Sequence, residues 1–241
     1  DCPAPASNTV EISNITDAEA TISWTDTDET HDTWVVYYKA EGQAEYSTIT
    51  VSDQSVVLTG LAQTTTYSFY IQTDCGTEDN VSRTDIFTFS TTATPISEFP
   101  YYQTFEDLEN NPASFEFRNE HTNKWHIGTA TGVVSEEGSD EITTSLYISN
   151  DNGVTNAYTI QSATSYANAI MPVIFGEANE YVLSFDYKVN GETYGGSSVY
   201  DYLKVFLCDS DVNIPANGEP TGTGVTTLLD KTAGVTEWTH A

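Results

Sequence analysis

Basic side chains are scarce in this 241-residue chain: 7 Lys and Arg stand against 36 Asp and Glu, a formal net charge of −29. The deficit is spread along the sequence, with 15 acidic and 2 basic residues up to Ala93 and 21 and 5 beyond it. A surface of that sign repels phosphate backbones and anionic headgroups, which disfavours nucleic acid and membrane surfaces as partners. It suits solubility and a secreted, calcium-containing environment. Cysteine is nearly as rare. Cys2, Cys75 and Cys208 form no CxxC pair, so no zinc or redox motif is present. No apolar run reaches 18 residues, so no transmembrane helix is expected. There is no initiating Met and no signal peptide; the opening Asp1-Cys2-Pro3 reads as a mature or trimmed chain.

Catalytic signatures are also lacking. HExxH, GxSxG, the P-loop and GxGxxG do not occur. Of the four histidines, His31, His121, His126 and His240, only His121 and His126 lie close in sequence, and a loop-to-strand passage separates them. Carboxylate pairs for glycoside hydrolysis carry no information where 36 acidic residues supply pairs everywhere. The sequence reads as non-enzymatic.

What is abundant is Thr, Ser, Val, Tyr and Gly, with 38% apolar residues, enough to fill a core. No stretch sustains a 3.6-residue apolar period, and the β-branched and aromatic content favours strands. The chain is therefore all-β. In its first part, short strands are expected over 9–12, 20–24, 34–38, 46–51, 55–58, 67–72 and 86–89. The alternation is clearest where Tyr67, Phe69 and Ile71 oppose Ser68, Tyr70 and Gln72. Residues 91–100 (TTATPISEFP) interrupt the pattern with two prolines and read as a short semi-extended linker.

Seven strands at this spacing, with Trp24, the Trp34-Val36-Tyr38 alternation and Leu61-x-x-x-Thr65-x-Tyr67, resemble a fibronectin type III domain. That resemblance implies an immunoglobulin-like sandwich over 1–93 with Tyr67 as its tyrosine corner, the phenol bonding back to upstream backbone. Gln63 stands where the family usually has proline. Cys2 before Pro3 and Cys75-Gly76 at the end of the sixth strand are similar to the fibronectin-type modules of secreted Bacteroidetes proteins. In such a sandwich the chain start and that strand end share a pole, which implies a Cys2–Cys75 disulfide and leaves Cys208 unpaired.

Beyond the linker at 94–100, residues 101–241 carry strand candidates at 124–128, 146–149, 157–160, 167–174, 181–189, 199–207, 225–229 and 236–239, and no convincing helix. This implies a two-sheet sandwich, a jelly roll. The order Phe105-Glu106, Trp125, Ser145 to Ser149, Met171 to Ile174, Tyr181 to Lys188, Tyr202 to Val205 and Trp238 resembles cleaved-adhesin and MAM-type jelly rolls of bacterial surface proteins. Such domains continue past the equivalent of Trp238, so the resemblance implies an incomplete jelly roll with an exposed edge.

The expectation is a secreted or surface-displayed bacterial adhesion or binding protein without catalysis. The alternative is an accessory carbohydrate-binding region of a larger glycoside hydrolase or protease. Tyr200, Tyr202 and Phe206 lie opposite the Leu203 and Val205 face. With Tyr194 in the adjoining Gly-Ser loop, they are candidates to hold a host or matrix glycan or protein. The resemblance also implies a structural calcium ion, for which Glu106, Asp107, Asp151 and Asn152 supply hard oxygen ligands.

Overall fold

The computed structural model describes residues 2–76, 82–130, 144–160, 164–177, 180–195 and 198–241. Every element among them is a β-strand apart from one turn of 3-10 helix at Ser7–Thr9. The chain divides into two compact units: the first is Asp1–Tyr101 with Ala113–Glu116 and Ile170–Ile174, the second Tyr102–Pro112, Phe117–Ala169 and Phe175–Ala241.

The first unit is an antiparallel sandwich. Strands β1 (Glu11–Ser13), β2 (Ala20–Ser23), β3 (Trp34–Ala40), β4 (Ser47–Val51), β5 (Ser55–Leu58), β6 (Thr66–Thr73) and β7 (Phe87–Ser90) form two sheets, ordered β1-β2-β5 and β4-β3-β6-β7. Alternation decides which side chains face inward. On β6, Tyr67, Phe69, Ile71 and Thr73 are buried while the residues between them are half-exposed. They meet Ala20, Ile22, Trp24, Trp34, Val36, Val56, Leu58, Leu61 and Phe89 in one core. Phe69, Ile22, Leu58, Ile71 and Val36 are fully buried, each contributing about 1.5–3 kcal/mol relative to exposure. The first strand begins later than the pattern suggests, because Val10 closes the 3-10 turn by bonding to the Ser7 carbonyl.

Tyr67 forms the corner: the Ala62 N–H donates to its hydroxyl at 2.8 Å, and its ring lies against Phe89. Gln63 uses its amide oxygen to accept from the Thr94 N–H at 2.8 Å, a tie that proline could not make. Residues 94–100 are bonded into this unit. Ile96 is buried and bridges Val173 in parallel, with bonds to Pro172 and Ile174 of 2.9 and 2.8 Å.

The remaining strands are β8 (Glu116–Arg118), β9 (Lys124–Gly128), β10 (Ser145–Ser149), β11 (Asn168–Ile170), β12 (Asp186–Val189), β13 (Thr193–Tyr194), β14 (Ser198–Val199), β15 (Leu203–Cys208), β16 (Val225–Thr232) and β17 (Val235–His240). They join two by two: β8 with β11, β9 with β10, β12 with β17, β13 with β14 and β15 with β16. In the second unit only Ala130, Ser149 and Pro220 are buried among the described residues.

Three strand expectations are corrected here. Residues 157–160 are irregular, because the side chain of Asn123 takes both the N–H and the carbonyl of Thr159, at 2.7 and 2.9 Å, in place of a ladder. The run 181–189 is a strand only from Asp186, although Phe185 exchanges two backbone bonds with Ala241. The run 199–207 is cut at Tyr200-Asp201, whose two amides both turn to the Glu192 carbonyl.

Candidate functional site

At one pole of the first unit Cys2 and Cys75 form a disulfide, with Cα atoms 6.1 Å apart. Thr73 anchors the same end by donating its hydroxyl to the Pro3 carbonyl at 2.8 Å. Beside it opens a groove of about 520 Å³ lined by Asp28, Thr30, His31, Asp32, Thr33, Asp74, Cys75 and Gly76. His31 is clamped at both ends: Nδ1 lies 2.8 Å from Asp26 Oδ2 and Nε2 3.6 Å from Asp28 Oδ2. Asp26 also accepts from the Trp34 indole at 3.0 Å. Burial alone would raise the Asp26 carboxyl. The hydrogen bonds from His31 and Trp34, the Asp28 amide and the charge of His31 outweigh it and hold the group below its ordinary range. Held at Nδ1 by Asp26, the imidazole organises the 26–33 loop.

The outer face of the four-stranded sheet carries an aromatic cluster that sequence reasoning did not single out. Tyr37 and Tyr70 stand opposite each other on β3 and β6 and stack at 4.7 Å. Tyr46 meets Tyr70 edge-on at 5.1 Å, Lys39 sits over Tyr46, and Arg83 sits over Tyr70. The signal was the outward position of both tyrosines, but their partnership depends on strand register. Their rings are engaged by one another and by cations.

The four aromatic candidates of the second unit separate into two pairs. Tyr202 and Phe206 belong to a charged network along β15. The Tyr202 hydroxyl donates to Glu219 Oε1 and Lys204 Nζ to Glu219 Oε2, both at 2.8 Å. Lys231 covers the Tyr202 ring at 4.6 Å and Lys204 the Phe206 ring at 4.8 Å. Burial and the Glu219 carboxylate push the Tyr202 phenol far up, and the Glu219 bond raises Lys204. Burial opposes ionisation of Glu219, yet Lys204 and Tyr202 together hold it low. These groups satisfy one another. The opposite side of β15 is less enclosed than expected, with Leu207 44% exposed.

Tyr194 and Tyr200 behave differently. In the β13–β14 hairpin Tyr194 faces Ser198, and the Tyr200 N–H continues the pairing to the Glu192 carbonyl at 2.9 Å. Tyr194 lies in β13 and Tyr200 directly follows β14, so both belong to this one hairpin. They are 73% and 59% exposed. The base of the hairpin requires Gly191, where any Cβ would collide with the Asp201 carbonyl. Residues 196–197 of the bordering loop lie outside the described residues.

The calcium candidates are not gathered into a cage. Among the described residues no three His, Cys, Asp or Glu side chains stand where they could hold a metal. Glu106 accepts from the Thr144 N–H, and Asp107 accepts twice from Asn110. Asp151 accepts from Ser149 and twice from Thr155. These bonds, the Ser149 hydroxyl first, hold its carboxyl at about 2. Asn152 sits at a positive φ of 60° in the same turn. Among the remaining histidines, His240 pairs with Asp186 at 2.8 Å, and His126 lies against Tyr147.

Residues 3–86 match the fibronectin type III domain family. No curated protein matches the chain. A solved structure described as a myokine is 19% identical, the alignment covering 38% of this chain and 98% of that one, with a TM-score of 0.33. A fibronectin type III domain of human collagen XX is 22% identical over 37% of this chain and 91% of its own, with a TM-score of 0.33. A redesigned β-sandwich protein is 21% identical over 38% and 96%, at the same TM-score. The first unit carries a fibronectin type III domain over residues 3–86.

Proposed function

We propose that this chain is a secreted or surface-displayed bacterial adhesion protein, non-catalytic, that holds a glycan through the second unit. Fibronectin type III domains are typically extracellular, non-catalytic modules, and the Cys2–Cys75 disulfide suits an oxidising compartment. No helix among the described residues is long and apolar enough to cross a membrane. The antiparallel strand pairs after residue 101 support the reading of a jelly-roll adhesion unit.

The observation that carries the proposal is the exposure of Tyr194 and Tyr200 together on the β13–β14 hairpin. The rings of Tyr37, Tyr70, Tyr202 and Phe206 are covered by neighbours, and a lysine lies over Trp238. Tyr194 and Tyr200 are both exposed on one hairpin, where sugars of a chain can stack on their rings. A glycan array probed with the wild type and with Tyr194→Ala/Tyr200→Ala tests it. Removing both rings is expected to cost about 1–3 kcal/mol, roughly 10-fold to 100-fold in Kd. Binding to no glycan, or equal binding by the double variant, would remove the proposal.

A further inference from the structure

The seven cations of this chain are almost all committed. Lys39, Arg83, Lys188, Lys204 and Lys231 lie 4.6–4.9 Å from aromatic ring centres. Arg118 donates to the Ile214 carbonyl. Among the described residues Lys124 alone has no ring, carboxylate or carbonyl partner, and it lines a groove of about 490 Å³ in the second unit. The other walls are Glu120, His121, Thr122, Asn150 and Asn152.

The groove sits at the end of the β9–β10 pair, where Lys124 stands opposite Ser149. Its loops are braced by side chains. Asn119 bonds both backbone groups of Trp125, at 2.8 and 3.1 Å. Asn123 holds both backbone groups of Thr159, and Asn150 donates to the Thr159 hydroxyl at 2.8 Å. Fully buried Ser149 bonds Asp151 and accepts from the Gly153 N–H. Such bracing lets a ligand bind without ordering the loops first. Within this frame His121 keeps Nε2 buried and unpartnered among the described residues.

The lining fixes the ligand's chemistry. One carboxylate and one ammonium balance in charge, and among the described residues no ion pair joins them. The rest are amides, a hydroxyl and an imidazole, so the lining is mostly polar. An anion would meet Glu120 and the chain's net −29, and an apolar ligand would find no surface. We propose that this groove is a second binding site, for a neutral sugar. Lys124 and the Asn amides donate to its hydroxyls, and Glu120 and the amide oxygens accept from them. The site shares no residue with the Tyr194–Tyr200 pair and is tested separately from it.

The experiment is nitrogen-15 NMR titration of the full chain with methyl glycosides of glucose, galactose, mannose and N-acetylglucosamine. Glucuronate and methylammonium serve as charged comparisons. The expected result is saturable shifts at Glu120, Thr122, Lys124, Asn150 and Asn152 with a neutral glycoside. Lys124→Met should weaken binding about tenfold. Asn152→Gly, which keeps the positive φ, should weaken it by a smaller factor with the melting temperature unchanged. Tyr194→Ala/Tyr200→Ala should leave these shifts in place, so loss of array binding and loss of groove binding are read independently. No saturable shifts with any neutral glycoside, or tighter binding of glucuronate or methylammonium, would overturn the neutral-sugar site.

Discussion

The Ala62 N–H donates to the Tyr67 hydroxyl across the corner between β5 and β6, at 2.8 Å. The hydroxyl acts here as an acceptor, so its loss strands a backbone donor in a part-buried turn. Tyr67→Phe, which keeps the ring against Phe89, is expected to destabilise the first unit by about 1–3 kcal/mol. Trp24→Ala removes core volume and should cost more, about 3–5 kcal/mol. Urea melts of the two variants check the order as well as the size; neutral effects would contradict the packing described.

The Cys2–Cys75 bond closes a sequence separation of 73 residues. Reduction, or the Cys2→Ser/Cys75→Ser pair, should lower the stability of the first unit by about 2–4 kcal/mol through the freedom restored to the unfolded chain. Mass spectrometry of a non-reduced digest should show the linked peptides. Unfolded without reductant, the chain should take one maleimide, on Cys208.

Stability should fall with acid in a defined window. Asp26 and Asp151 both have folded carboxyls below the ordinary 3.8, Asp151 at about 2. A carboxyl depressed on folding binds fewer protons folded than unfolded, so it stabilises fully above about pH 4 and less as pH drops through the folded value. Denaturant melts at pH 6, 4 and 2 should show the loss below pH 4. Asp26→Asn and Asp151→Asn should each lessen that slope; slopes equal to wild type would remove these two groups as its source.

Gly191→Ala should act at a distance from the ligand. The new methyl would press on the Asp201 carbonyl and force the hairpin base apart, shifting Tyr194 and Tyr200. Glycan binding should fall about as far as in the double tyrosine variant, roughly 10-fold or more. Melting of the first unit should be unchanged. Wild-type binding by this variant would show that the hairpin tolerates the shift.

The first unit was legible because each of its strands buries one face: Tyr67, Phe69 and Ile71 announce β6 by alternation alone. The second was not, since half-buried two-stranded ribbons leave weak periodicity, and Thr159 satisfies its backbone on a side chain no local pattern reveals. Tyr194 and Tyr200 were visible as residues, but their meeting on one hairpin depends on a register in which Thr193 pairs with Val199. The Lys124 groove was illegible for a related reason. Its walls come from two loops brought together by the pairing of Lys124 with Ser149, and the cue that marks it is that the other cations are taken.

The cation placement also bears on survival outside a cell. Proteases that cut after Lys or Arg need that side chain free to enter a deep pocket, on backbone able to unfold locally into their cleft. Six of the seven basic residues lie within strands β3, β8, β9, β12, β15 and β16, and the seventh, Arg83, bridges Gln72 at the edge of β6. Five have a ring beneath the charge. Arg83, in the connection between β6 and β7, is the one basic residue outside a strand, so trypsin-like enzymes should cut the folded chain first after it.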